Sequence, residues 1–117
     1  MTLTKEEKKK IAEIKKDLPQ KLILLMTPEA RNQLKEISTD PHFKGLEFQV
    51  KSTIVKLVHN PKYPGLNSHK FHGLTQMFQI DVWESYIQNH TPGAWRIFWH
   101  YGPEKNMLTV LMITAHP

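Results

Sequence analysis

Arg96, His100 and His116 are the residues whose types and placing fit them for chemistry, with Lys62, His69 and Lys70 upstream. The run Trp-Arg-Ile-Phe-Trp-His-Tyr at 95–101 alternates in character. In an extended strand Trp95, Ile97, Trp99 and Tyr101 point one way, while Arg96, Phe98 and His100 point the other. A guanidinium and an imidazole therefore share one strand face. Arginine holds oxyanions well because its planar fork matches two oxygens and stays charged. Histidine can give or accept a proton near neutral pH. The residues also admit plainer roles. Arg96 can pair with Glu84 or Asp81 across a sheet, His100 can bond a neighbour within its strand, and His116 can be a frayed end. Trp95 and Trp99 fit either stacking on nucleobases or packing against helices. His69 and His72 stand three apart, with no cysteine or carboxylate beside them in sequence to complete a metal site.

The elements that must position these residues follow from periodicity. Residues 81–87, 94–101 and 107–115 are β-rich and bounded by the turn-forming stretches 89–93 and 102–106, short enough for antiparallel neighbours. Upstream, Thr4 and Glu7 match a capping box, with Ile11, Ile14 and Leu18 at helical spacing before Pro19. Lys-Leu-Ile-Leu-Leu-Met at 21–26 reads as a buried strand. Thr27 then caps a helix with Pro28 at its first position and Ala30, Leu34 and Ile37 inward, ending before Asp40-Pro41. Residues 45–59 form a further helix with Leu46, Val50, Ile54, Leu57 and Val58 inward. The stretch from Asn60 to Gln76 reads as a surface connection carrying His69, Lys70 and His72. The expected class is α+β, with a mainly antiparallel four-stranded sheet and a helical hairpin on one face.

Composition narrows the partners. At 117 residues, 39% of them hydrophobic and 23% charged, the chain has the make-up of one globular domain. No apolar run approaches the roughly 20 residues of a membrane span, and the lysine- and glutamate-rich start lacks a signal sequence's apolar core. Zero cysteines exclude disulfides and thiolate metal sites and fit a reducing cytoplasm. The net charge of +5 is spread along the chain, favouring a polyanionic partner, nucleic acid or acidic protein.

In this order of elements, three stretches resemble the RelE/ParE superfamily of bacterial toxins: His-Lys-Phe-His-Gly-Leu at 69–74, Pro-Gly-Ala-Trp-Arg-Ile-Phe-Trp at 92–99, and Ile-Thr-Ala-His at 113–116. The resemblance covers about residues 21–117. It implies a toxin domain at 20–117 preceded by a basic helical extension at 1–19. RelE-like members cleave mRNA on the ribosome without a cofactor, whereas ParE-like members inhibit DNA gyrase. Both kinds are held by a cognate antitoxin.

In the RNA-cleaving branch an arginine follows an aromatic residue on the penultimate strand, as Arg96 follows Trp95, and a histidine or arginine ends the last strand, as His116 does. Lys70, His69 and Glu84 lie nearest the remaining site positions. Metal-free RNA cleavage needs a base at the 2′-hydroxyl, positive charge at the phosphate and an acid for the 5′-oxygen. The resemblance thus implies Arg96 as the clamp, His116 as acid or base and His100 as support. Lys70, His69, Lys62 and Trp99 are the expected RNA contacts. The best-known nucleases are lysine-rich on the first strand of the hairpin series, where this chain has Asp81 and Glu84. A ParE-like or catalytically silent protein is the alternative.

Overall fold

The computed structural model describes residues 3–89, 91 and 93–115. Its elements run α1 (Lys5–Asp17), β1 (Ile23–Met26), α2 (Pro28–Thr39), α3 (Leu46–His59), β2 (His69–Lys70), α4 (His72–Phe78), β3 (Trp83–Tyr86), β4 (Trp95–Tyr101) and β5 (Met107–Ala115). The strands form one sheet in the order β1-β5-β4-β3-β2, with β1 parallel to β5 and the other pairs antiparallel.

Local signals set the helix starts. Thr4 Oγ1 accepts from the Glu7 amide at 3.1 Å while the Thr4 amide donates to Glu7 Oε1 at 3.0 Å, completing the capping box of α1. Thr27 Oγ1 accepts from the Ala30 amide at 3.1 Å and donates to the Leu111 carbonyl at 2.7 Å. One hydroxyl therefore caps α2 and ties its start to β5.

Helices α2 and α3 lie against one face of the sheet and α1 packs against α3. The main core joins Ala30 and Ile37 of α2, Val50, Ile54 and Leu57 of α3, and Ile97, Trp99, Leu108, Val110 and Ile113 of the sheet. Burial of this apolar area is the main force holding the layers together.

Two features differ from the sequence-based expectation. The sheet has a fifth strand, the two-residue β2, and the stretch read as a surface connection also contains α4. Neither element is long enough to show a periodicity, and α4 has no side-chain cap at its start. Helix α4 also gives the sheet's second face a cover of its own. Phe71 and Leu74 pack there on Val82, Phe98 and Leu111. A bulge between Phe98 and Trp99 makes this possible. Phe98 pairs with Met112 but Trp99 pairs with Val110, leaving Leu111 as the extra residue. Val110 and Ile113 thus stay in the main core while Leu111 joins the second cluster.

Candidate active site on the second face of the sheet

The strand register assembles a cluster that no single segment contains. His69 lies opposite Glu84, and Tyr86 lies opposite Arg96. Glu84 and Tyr86 alternate along β3, so all four residues share the face opposite the main core. The Glu84 carboxylate is the centre. Its Oε1 lies 2.7 Å from His69 Nε2, and its Oε2 lies 3.9 Å from Arg96 Nε. The Arg96 guanidinium sits 3.6 Å from the centroid of the Tyr86 ring, in the geometry of a cation–π contact. His69 meets the edge of the same tyrosine, ring centroids 6.0 Å apart.

His69 Nδ1 lies 2.7 Å from the Asn67 carbonyl, which can only accept, so this contact calls for a proton on Nδ1. Arg96 Nη1 donates to the carbonyls of Gln88 at 2.7 Å and Trp95 at 3.1 Å. Both of that nitrogen's protons are thereby engaged. Arg96 Nε is buried and lacks a hydrogen-bond partner among the described residues, since 3.9 Å is too long for a bond to Glu84.

A buried relay behind the cluster holds β2 in place. Trp99 Nε1 donates to Ser85 Oγ at 2.8 Å, the Ser85 and Ser68 hydroxyls lie 2.6 Å apart, and Ser68 Oγ donates to the Pro61 carbonyl at 2.6 Å. The indole can only donate and the carbonyl can only accept. The Ser85 proton must therefore point to Ser68, the residue before His69.

The structure separates the sequence-derived candidates. Arg96 and His69 are in the cluster, joined by Glu84. His100 shares the face but stands four residues along β4, about 13 Å away at strand rise. It contacts the Tyr101 carbonyl at 2.8 Å instead. The expectation that His100 supports Arg96 is corrected accordingly, because the extended backbone spaces them apart. Trp99 as an RNA contact is corrected too. It is 1% exposed and stacked on Trp83 in the main core, so no ring face is open to a base. Lys70 points to the opposite side of β2 from His69, 3.4 Å from the Asp81 carboxylate. Lys62 is exposed in the turn after α3, its amide bonded to Asn60 Oδ1 at 3.0 Å. His116 lies outside the described residues.

Tyr86, Gln88 and Asn67 were not singled out by the sequence. Alternation along β3 was the available signal for Tyr86, placing it in line with Glu84, whereas Gln88 lies beyond β3 and serves through its backbone carbonyl. Among the described residues no three His, Cys, Asp or Glu gather as a metal-ligand set, and no helix is long and apolar enough to cross a membrane.

Two solved structures share this fold, a sheet with a helical hairpin on one face. A YoeB/ParE toxin from Agrobacterium tumefaciens superimposes with a TM-score of 0.60 at 13% identity, covering 82% of this chain and 100% of that one. The YoeB dimer from Staphylococcus aureus gives 0.60 at 12% identity, covering 83% and 99%. No protein-family model and no curated protein matches the chain.

Proposed function

We propose that this chain is the toxin of a toxin–antitoxin pair, acting in the cytoplasm as a metal-independent endoribonuclease on mRNA. The observation that carries the reading is the Glu84 carboxylate set between the His69 imidazole at 2.7 Å and the Arg96 guanidinium at 3.9 Å, on a fold shared with YoeB/ParE toxins. In the reaction the 2′-oxygen attacks phosphorus, its proton passes to a base, and the bond to the 5′-oxygen breaks as that oxygen takes up a proton. A 2′,3′-cyclic phosphate and a 5′-hydroxyl remain. The His69–Glu84 pair handles a proton: the buried carboxylate orients the ring, and the Nδ1 contact to the Asn67 carbonyl must open for the half-exposed ring to exchange a proton with substrate. Arg96 contributes charge at the phosphate. With Nη1 already bonded to two carbonyls, it acts as a fixed cation rather than an open fork. His116 keeps its expected role as acid or base, and exposed Lys62 and Lys70 contribute phosphate contacts.

A second reading, a ParE-like or catalytically silent protein that binds gyrase or only its antitoxin, is favoured by the burial of Arg96 and its bonds to backbone. Induced expression followed by primer extension on cellular mRNA separates the two. Codon-periodic cuts that disappear with Arg96→Ala and with His69→Ala are expected. Growth arrest with intact mRNA and lost supercoiling would put the gyrase reading in its place.

A further inference from the structure

The strand register that assembles the Glu84 cluster also sets a row of side chains on the opposite face. Trp83 lies opposite Trp99 on one side and opposite Lys70 on the other. Each of the three is next in its strand to a residue of the cluster's face, so all of them turn toward the main core. Trp99 is sealed in that core, and Trp83 stacks on it with ring centroids 5.9 Å apart and planes 16° from parallel. Tyr101, 47% exposed, meets both indoles edge-on, 5.0 Å from Trp99 and 6.3 Å from Trp83.

One face of the Trp83 ring is thus taken by Trp99. The other looks toward the edge of the sheet, because β2 is the last strand and only two residues long. Lys70 Nζ stands over the ring, 6.0 Å from its centroid. A nucleobase in van der Waals contact lies about 3.5 Å from an indole, inside the distance the ammonium keeps. The lysine is free to swing aside. Its ion pair with Asp81 is 3.4 Å long, between side chains 39% and 63% exposed, and such surface pairs hold weakly. A flat ring backed by a second indole, with a movable ammonium at its rim, selects a flat, π-rich ligand carrying negative charge. A nucleotide has both properties.

We propose that Trp83 and Lys70 form a stacking site for one nucleotide of single-stranded RNA, flanking the nucleotides held at the Glu84 cluster. The base lies on the outer face of Trp83, and the Lys70 ammonium exchanges Asp81 for the adjoining phosphate. Trp83 and Glu84 are neighbours in β3, as Lys70 and His69 are in β2. The RNA chain therefore folds over the two-residue edge of the sheet to reach both faces. Every base has a π-face, so the site positions RNA without choosing its sequence. The inference rests on the mRNA reading of the cluster. It adds Trp83 as a positioning residue and Asp81 as a carboxylate that competes with the substrate.

The test titrates the full-length, ¹⁵N-labelled protein with a single-stranded 2′-deoxy tetranucleotide. Lacking a 2′-hydroxyl, this probe cannot be cut, so binding is read apart from cleavage. The expected result is a shift of the Trp83 indole N–H signal, assigned by its loss in Trp83→Leu, while that of Trp95 stays in place. Leucine keeps the apolar packing but offers no ring. With its amide spectrum retained, this variant is expected to bind about tenfold more weakly, or ~1.4 kcal/mol. An abasic tetranucleotide of equal charge is expected to lose about tenfold as well. Asp81→Asn, at an exposed position, is expected to tighten binding by about threefold, because it releases Lys70. The idea is overturned if the abasic probe binds as well as the native one, or if Trp83→Leu binds as tightly as the unchanged protein. A Trp83 shift without any cuts in cellular mRNA would keep the site and remove the nuclease reading. Cuts without the shift would remove the site alone.

Discussion

Glu84 and His69 meet at 2.7 Å across the β2–β3 pair although their surroundings differ sharply, the glutamate side chain being 6% exposed and the histidine side chain 48% exposed. A carboxylate in such a position is stable only when its charge is balanced and its lone pairs are bonded. His69 bonds one of its oxygens and the Arg96 guanidinium lies near the other, while the His69 ring keeps one side toward solvent. The pair thus connects a buried carboxylate to the outside through a single imidazole.

The two partners contribute unequally. Glu84→Gln removes the counter-charge of buried Arg96 and is expected to cost about 1–3 kcal/mol. His69→Asn, at a half-exposed position, is expected to cost less than about 1 kcal/mol. Urea denaturation of both variants checks the order. Equal costs would mean that Arg96 does not depend on Glu84.

Tyr86 supports Arg96 through its ring rather than its hydroxyl, given the 3.6 Å separation of guanidinium and ring centroid. Tyr86→Phe should change stability by less than about 0.5 kcal/mol, whereas Tyr86→Leu should cost about 0.5–2 kcal/mol. Arg96→Lys should also destabilise, because an ammonium cannot stack on the ring and bond the Gln88 and Trp95 carbonyls together. Thermal melting of the three variants measures this. A Phe variant as unstable as the Leu variant would assign the contact to the phenol oxygen.

The Trp99–Ser85–Ser68–Pro61 relay should behave as one unit. Ser85→Ala leaves the Trp99 N–H buried and unpaired, an expected loss of about 1–3 kcal/mol. Combined with Trp99→Phe the loss should be less than additive, since both changes remove the same bond. Amide exchange at Phe71, whose N–H bonds the Val82 carbonyl at 2.8 Å beside β2, should quicken in the serine variant. Unchanged exchange there would mean that the relay does not hold β2.

Thr27 should be replaceable by serine and not by alanine. Serine can keep both the cap on Ala30 and the bond to Leu111. Alanine loses both, costing about 1–2 kcal/mol. Equal melting temperatures for the two variants would remove the hydroxyl from the account.

The amino-acid sequence by itself determined the features governed by near neighbours. Thr4 with Glu7 and Thr27 with Pro28 announced their helices because capping acts over three residues. The alternation from Trp95 to Tyr101 put Arg96 on the face away from the tryptophans because a strand repeats every two. The tertiary structure alone decided which residues Arg96 would meet. His69 reaches Glu84 through a strand of two residues, too short to leave a pattern. His100, a neighbour in sequence, is carried away by the rise of the strand. Trp99 is sealed in the core by helices from the first half of the chain. Such pairings join residues far apart in the chain, and the energy that selects them is the burial and hydrogen bonding of the assembled sheet, which no local stretch contains.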